Sequence, residues 1–171
     1  MHVIETERLT LRRLTVDDAT FILKLLNDDA FLRFIGDKGV RNLDDARQYI
    51  VKGPLASYQQ LGFGIYLVVL TTTHEPIGMC GLVKRDALED ADIGFAFLPD
   101  FRSQGYASEA AKAVRDYALN SLGLKRLVAI TNPDNAGSIR VLEKIGLKFE
   151  RMIRLTEDSA EIRLYQSEAN E

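Results

Sequence analysis

Residues 102–107, Arg102-Ser103-Gln104-Gly105-Tyr106-Ala107, join a permanent positive charge, a turn glycine and the opening of a helix-like run. Those residue types at that spacing suit an anion. The first amides of a helix have no internal partner and carry the positive end of its dipole. A glycine at the turn lets a phosphate approach the backbone closely. A guanidinium can add two parallel donors. The expected ligand is a phosphorylated cofactor held by the amides of Ser103 to Ser108, with the Ser108 hydroxyl as an extra donor. The competing reading is an ordinary helix start with a surface arginine. No Gly-Lys-Ser/Thr follows, so a nucleoside-triphosphate loop does not fit. A dinucleotide fingerprint lacks its further glycine.

Other catalytic chemistries find few residues. Cys80 is the only cysteine, so no internal disulfide can form, and a buried strand position is expected for it. His2 and His74 are the only histidines, one near the terminus and one in a turn. Cys–His catalysis and a metal site are both unsupported, and no metal is expected.

The elements that must position the loop follow from periodicity. Leu9 to Leu14 reads as a strand. Thr15 caps a helix carrying Ala19, Ile22, Leu23 and Leu26 on one side. Asn27-Asp28-Asp29 interrupts it, and Phe31 to Arg41 reads as a connection. Asn42 opens a second helix with Ala46, Tyr49 and Ile50 on one face, and Gly53-Pro54 is expected to break or kink it. Gly64 to Thr71 and Ile77 to Lys84 are strands joined by a turn, and Ile93 to Leu98 is a third. The helix after the loop bears Ala107, Ala110, Ala111, Val114 and Ala118, small residues suited to close packing on a sheet, and Gly123 stops it. Arg126 to Thr131 is a strand. A last helix with Val141, Leu142 and Ile145 ends at Gly146. Leu147 to Met152 and Ala160 to Tyr165 are the final strands.

Seven strands result. Short turns make adjoining ones antiparallel, and strand–helix–strand steps favour parallel pairing. The expected fold is α/β (α+β), a mixed sheet with helices on both faces. The 171 residues suit one domain over 1–171 with a real core. No apolar run is long enough to span a bilayer, and the N-terminus lacks a signal pattern, so a cytoplasmic protein without a membrane partner is expected. The net charge of −3 argues against nucleic acid.

The loop resembles the pyrophosphate loop, Gln/Arg-x-x-Gly-x-Gly/Ala, of the GCN5-related N-acetyltransferases, the GNAT superfamily. Glu7-Arg8-Leu9-Thr10-Leu11-Arg12 with Asp17-Asp18-Ala19 resembles the opening of its ribosomal-protein acetyltransferase branch. Ala91-Asp92-Ile93-Gly94-Phe95 is similar to that branch's acidic-Ile-Gly-aromatic strand. Asn132-Pro133, Asn135-Ala136-Gly137-Ser138 and Val141 to Gly146 resemble its final helix. These segments stand in family order across nearly the whole chain.

The resemblance implies a seven-stranded sheet splayed between its fourth and fifth strands, with acetyl-CoA in the gap. It implies an acetyl-CoA-dependent N-acetyltransferase acting on a primary amine, with a protein or peptide N-terminus as first choice. A small amine such as an amino acid, polyamine or antibiotic is the alternative, and a CoA-binding module without catalysis the next. Acidic residues near the acceptor groove would favour a cationic acceptor. It also implies that the backbone of Phe97 and Leu98 pairs with the pantetheine arm, an amide near Phe97 serving as oxyanion donor. Asp92 is then the candidate base, against a reading as a strand-end acid paired with Lys or Arg. Asn135 is both a helix cap and a pantetheine contact. Many relatives place a tyrosine acid where this chain has Leu142, which leaves Ser138 as the thiolate-side donor. Glu109 reads as structural. Monomer and homodimer are both compatible.

Overall fold

The computed structural model describes residues 2–167. Eight strands form one sheet in the order β1-β2-β3-β4-β5-β6-β8-β7. They are β1 (His2–Glu5), β2 (Leu9–Arg13), β3 (Ile65–Leu70), β4 (Pro76–Val83), β5 (Asp92–Phe97), β6 (Val128–Thr131), β7 (Lys148–Ile153) and β8 (Ile162–Gln166). The helices are α1 (Ala19–Leu26), α2 (Asp29–Phe34), α3 (Leu43–Ile50), α4 (Ala56–Leu61), α5 (Tyr106–Asp116) and α6 (Ala136–Lys144). The mixed α/β architecture is the expected one, with two additions. β1, four residues too short to show a period, pairs antiparallel with β2. α2 lies inside the expected connection, started by the Asp28 carboxylate, which accepts from the amides of Ala30 and Phe31.

All neighbouring strands are antiparallel except β5 and β6, which are parallel through a single register pair, Asp92 with Val128. Beyond that pair the two strands separate, and the sheet opens toward their C-terminal ends.

Both faces of the sheet are covered. One core packs Ala110, Ala111, Val114 and Ala118, all fully buried, with Leu142 and Ile145 against strand residues such as Val68, Cys80 and Leu82. The alanine stripe brings the backbone of α5 close to the sheet beside β5. The other core packs Ile22, Leu25, Ala46 and Ile50 against Leu67, Val69 and Met79. Burial pushes the Cys80 thiol pKa up, as befits an inert core residue.

Gly53-Pro54 does not end the second helix. The chain widens into a π-helical turn at Val51–Leu55 and continues as α4. A wide turn absorbs the missing proline N–H that would otherwise break the ladder. The continuation matters because α4 carries Tyr58. Its hydroxyl accepts from the amide of Leu14 at 3.1 Å and donates to the carbonyl of Ile65, and its ring stacks on Tyr66 with centroids 5.6 Å apart. One phenol thus ties α4 to β3 and to the end of β2. Burial pushes its pKa up to about 12.

Tyr58→Phe leaves a buried N–H and a buried C=O unpaired. The expected cost is about 1–3 kcal/mol, read as a lower urea midpoint at an unchanged slope. Because the folded pKa is raised, this contribution is complete below the ordinary tyrosine pKa and is lost as pH rises through about 12. The phenylalanine variant should lack that alkaline step.

Candidate active site

The opening between β5 and β6 is the floor of a cleft of about 1360 Å³. Its walls come from the loop at 102–108, the start of α6, the α2 region, α3, and the β4–β5 turn.

The loop wall is an uncapped helix end. Gly105 is the N-cap of α5 with φ of +85°, and no side chain caps the helix. The first ladder bond is from the Glu109 amide to the Gly105 carbonyl, at 3.0 Å. The amides of Tyr106, Ala107 and Ser108 precede it and have no intrahelical acceptor. The starts of α2, α3 and α6 are instead capped by Asp28, Asn42 and Asn135. Arg102, Ser103, Gly105, Ala107 and Ser108 line the cleft.

Arg8 and Glu109 hold this end in place. Glu109 accepts from the Thr6 hydroxyl at 2.5 Å, the Arg8 amide at 3.0 Å and Arg8 Nε at 2.8 Å. Burial would raise its pKa, but these donors overcome that and hold it below the usual carboxylate value. Arg8 Nη1 donates to the Gln104 carbonyl at 3.1 Å, and its guanidinium lies 4.2 Å over the Tyr106 ring. The Gln104 side chain turns back to the Asp100 carbonyl at 2.6 Å. Gln104 and Tyr106 therefore shape the loop with their side chains and do not line the cleft.

Arg102 does not hold its fork open for a phosphate. Its Nε donates to the Phe97 carbonyl at 3.0 Å and its Nη2 to Asp28 at 2.5 Å. It fastens the loop both to the end of β5 and to the cap of α2.

The free edge of β5 is set by alternation. Leu98 donates its amide to the Ile77 carbonyl at 3.0 Å, so the even-numbered residues of this strand bond toward β4. The odd-numbered residues bond toward the gap. The exposed edge is therefore Phe95 and Phe97, and Leu98 is removed from it. Gly78 stands opposite Phe97, where an added Cβ would fall 2.5 Å from the Phe97 ring, so glycine gives that side chain its room.

Asp92, at the closed end of the gap, is almost wholly buried yet lines the cleft. Its Oδ2 accepts from Arg85 Nε at 2.8 Å. Burial raises its pKa, opposed by Arg85 and Lys84. Asn135 and Ser138 line the cleft from the first turn of α6, where Asn135 Oδ1 accepts the Ser138 amide at 3.2 Å. Leu142, one turn on, is buried.

Several wall residues escape a sequence reading. Arg85 lies in a turn, and only the folded β4–β5 hairpin sets it against Asp92. Asn132 Nδ2 donates to the Phe34 carbonyl at 2.9 Å, joining the loop before α6 to the end of α2. Asp28 is legible as a cap, but its ion pair with Arg102 spans 74 positions.

Residues 8–148 match a family model described as an acetyltransferase (GNAT) domain. The chain belongs to the GNAT acetyltransferases. It is 30% identical over 150 residues to the uncharacterized N-acetyltransferase YnaD of Bacillus subtilis (strain 168), covering 88% of this chain and 84% of that one. The crystal structure of an acetyltransferase from Agrobacterium tumefaciens str. C58 superposes with a TM-score of 0.82 at 27% identity, covering 97% and 94% of the two chains. A ribosomal alpha-N-protein acetyltransferase, RimL, in complex with coenzyme A shares the fold at TM-score 0.82 and 19% identity, with 97% of each chain covered. The protein is thus an N-acetyltransferase enzyme of the GNAT fold. The parallel pair that opens after one register position is where this GNAT chain places its cleft.

The loop geometry makes its own demand. At Gly105 a Cβ would meet only the flexible end of Arg8, at 3.2 Å, so the left-handed φ dominates the cost of a side chain. Gly105→Ala is expected to destabilise the protein by about 1–2 kcal/mol, measured as a drop in the urea midpoint.

Proposed function

We propose that the enzyme moves the acetyl group of acetyl-CoA to a primary amine by direct attack within a ternary complex. The observation that carries this reading is the uncapped start of α5 beside the open edge of β5. The amides of Tyr106, Ala107 and Ser108, with Gly105 and Ser103 at the turn, suit a pyrophosphate. The odd-numbered edge of β5 suits an amide-bearing arm laid along it like an added strand. Two fold neighbours support the ligand: RimL was solved with coenzyme A, and the microcin C7 self-immunity acetyltransferase MccE with acetyl-CoA and AMP. When bound, acetyl-CoA supplies an activated acyl carbon and a thiolate leaving group.

The chain's residues would then do four things. The loop amides anchor the cofactor far from the reacting carbon, and positioning supplies much of the rate. The Phe97 amide, facing the gap, offers a donor where negative charge develops on the acyl oxygen. Asp92 receives the ammonium proton, directly or through water, in a site where burial already favours its protonated form. Ser138 offers its hydroxyl to the sulfur. Arg102 acts mainly by position, since both bonded nitrogens serve the protein.

The acceptor we infer first is a protein or peptide N-terminal amine. It rests on the opening and final-helix segments shared with the ribosomal-protein branch and on fold neighbours bearing that name. The test is release of free thiol from acetyl-CoA with a panel of amines that includes peptides starting with Ser, Ala and Thr.

Acetyl-CoA should raise the melting temperature, because it binds only the folded state. Arg102→Ala and Arg102→Lys should reduce that shift alike, since a lysine cannot hold Phe97 and Asp28 together; neither should abolish it. Equal shifts from acetyl-CoA and from a pantetheine analogue without phosphates would refute the loop anchor.

Asp92→Asn separates the base from the ion pair. A base predicts a fall in turnover of about a hundredfold or more at neutral pH. Rate should return at high pH, where the amine is already neutral, and acetyl-CoA affinity should stay near wild type. Full turnover at neutral pH would leave Asp92 as the partner of Arg85 alone.

A further inference from the structure

The charge of the cleft is opposite to that of the chain. The protein carries a net −3, yet the cleft is lined by eight lysines and arginines against two aspartates among the described residues. Both aspartates are already spent on arginines, Asp28 on Arg102 and Asp92 on Arg85. The phosphates of the cofactor account for cations at the α5 and α6 mouth. They do not account for Lys38, Lys84 and Arg85, which also line the cleft, Arg85 on Asp92 and Lys38 near enough to Arg85 for their charges to interact.

Three observations place these cations together. Arg85 bonds Asp92 at 2.8 Å and so stands at the candidate base. Lys84 donates to the Arg85 carbonyl at 2.9 Å and to the Leu88 carbonyl, which pins its ammonium to the β4–β5 turn. Lys38 reaches in from the loop after α2 and is paired with no carboxylate among the described residues; its neighbour Asp37 is engaged by Arg41. Burial and the nearby Arg85 hold the Lys38 pKa below the ordinary lysine value, so the two cations feel each other. Three positive charges face one carboxylate on this wall.

A simple cationic amine would be repelled here. An amine that brings its own negative charge would not. On the acetyl-transfer reading above, we propose that the acceptor is a primary amine bearing a nearby carboxylate, which docks between Lys38 and Arg85 while the amine faces Asp92 and the gap. The same wall has a second effect. Positive surroundings disfavour an ammonium and lower its pKa, so the acceptor reaches its neutral, nucleophilic form more readily. The acetyl carbon then forms its bond to that nitrogen, the carbon–sulfur bond breaks, and the sulfur leaves with the electron pair. The ammonium proton goes to Asp92 or solvent before attack, and the second proton, lost from the nitrogen as the amide forms, goes to the thiolate or to solvent.

The carboxylate could belong to a free amino acid or to an acidic residue near a peptide N-terminus. Thiol release is measured with matched pairs: alanine and serine against their α-carboxamides, and amide-capped Ser-Asp-Glu against amide-capped Ser-Asn-Gln; the member with the extra carboxylate is the anionic one. The anionic member of at least one pair should show kcat/KM at least tenfold higher, with the advantage shrinking as salt rises. The pair that responds identifies the source. Lys38→Glu should cut that preference tenfold or more. Binding of the corresponding N-acetylated products to the CoA-bound protein, by calorimetry, gives a readout independent of turnover. Acid products that bind tighter than amides without any thiol release would keep the anion site and overturn the acetyl-transfer reading. Equal handling of both members in every pair, or a preference for the neutral ones that Lys38→Glu leaves untouched, would overturn the anion site.

Discussion

The structure depends on one interruption. β5 and β6 run parallel and share a single register pair, Asp92 with Val128. Parallel strands are ordinarily buried and fully paired. Here the pairing stops, and the amides of Phe95 and Phe97 and the Phe95 carbonyl are left facing a gap in the middle of a sheet, while the Phe97 carbonyl is taken by Arg102. Unpaired backbone in an interior is costly unless water or a ligand satisfies it. On the reading proposed above, the open edge is tolerated because the cofactor's amide-bearing arm would bind along it. The alanine face of α5 on one side and the α1–α3 core on the other hold the separated halves apart.

The start of α5 has to stay open for the same reason. The starts of α2, α3 and α6 are closed by Asp28, Asn42 and Asn135, while α1 and α4 continue from a preceding helical turn. At α5 the stabilisation is moved off the cap position and onto Glu109, one turn in, which gathers Thr6 and Arg8 from the β1–β2 turn. A carboxylate there also favours the positive helix end without covering it. Arg8 then reaches over Tyr106 to the Gln104 carbonyl. The loop is tethered at these points while the amides of Tyr106, Ala107 and Ser108 keep no intrahelical acceptor. Arg102 belongs to the same scaffold, since it closes a path from β5 through the loop to α2.

Much of this was legible in the sequence, and the limits are physical. Strands β3 to β5 and helices α1, α3, α5 and α6 announce themselves by period, caps and stop glycines. β1 is too short to show a period. α2 is one turn and a half, started by a cap in a stretch whose aromatic and charged residues look irregular. Gly53-Pro54 carries the ordinary meaning of a helix break, and only the π-helical widening reverses it. Local signals pointed to the loop, Asp92 and the start of α6, which the fold brings to the walls of one cleft. Which backbone groups of β5 face the gap depends on register with β4, and that moved the edge from Leu98 to Phe95. The partners Arg85 for Asp92 and Asp28 for Arg102 are tertiary, and no spacing rule reports them.

The two ends of the reaction are served unequally. On the leaving side Leu142 fills the slot where many relatives have a tyrosine, and it is buried in the core. A thiol pKa of about 8.5 means the sulfur can depart as thiolate with little acid assistance, so on the proposed mechanism a hydroxyl such as Ser138 would be enough there. On the attacking side the difficulty is larger, because an alkyl ammonium holds its proton near neutral pH. Burial raises the Asp92 pKa, and the bond from Arg85 opposes that rise without cancelling it, so Arg85 limits how strongly Asp92 pulls on a proton. On the proposed acceptor reading, a positive wall would ease the difficulty from the other direction, by making the amine a weaker holder of its proton. An anionic group on the acceptor offsets the repulsion that such a wall would otherwise impose on binding. On that reading, base strength and acceptor charge are linked through one residue, since the arginine that opposes the rise in the Asp92 pKa would also receive the carboxylate.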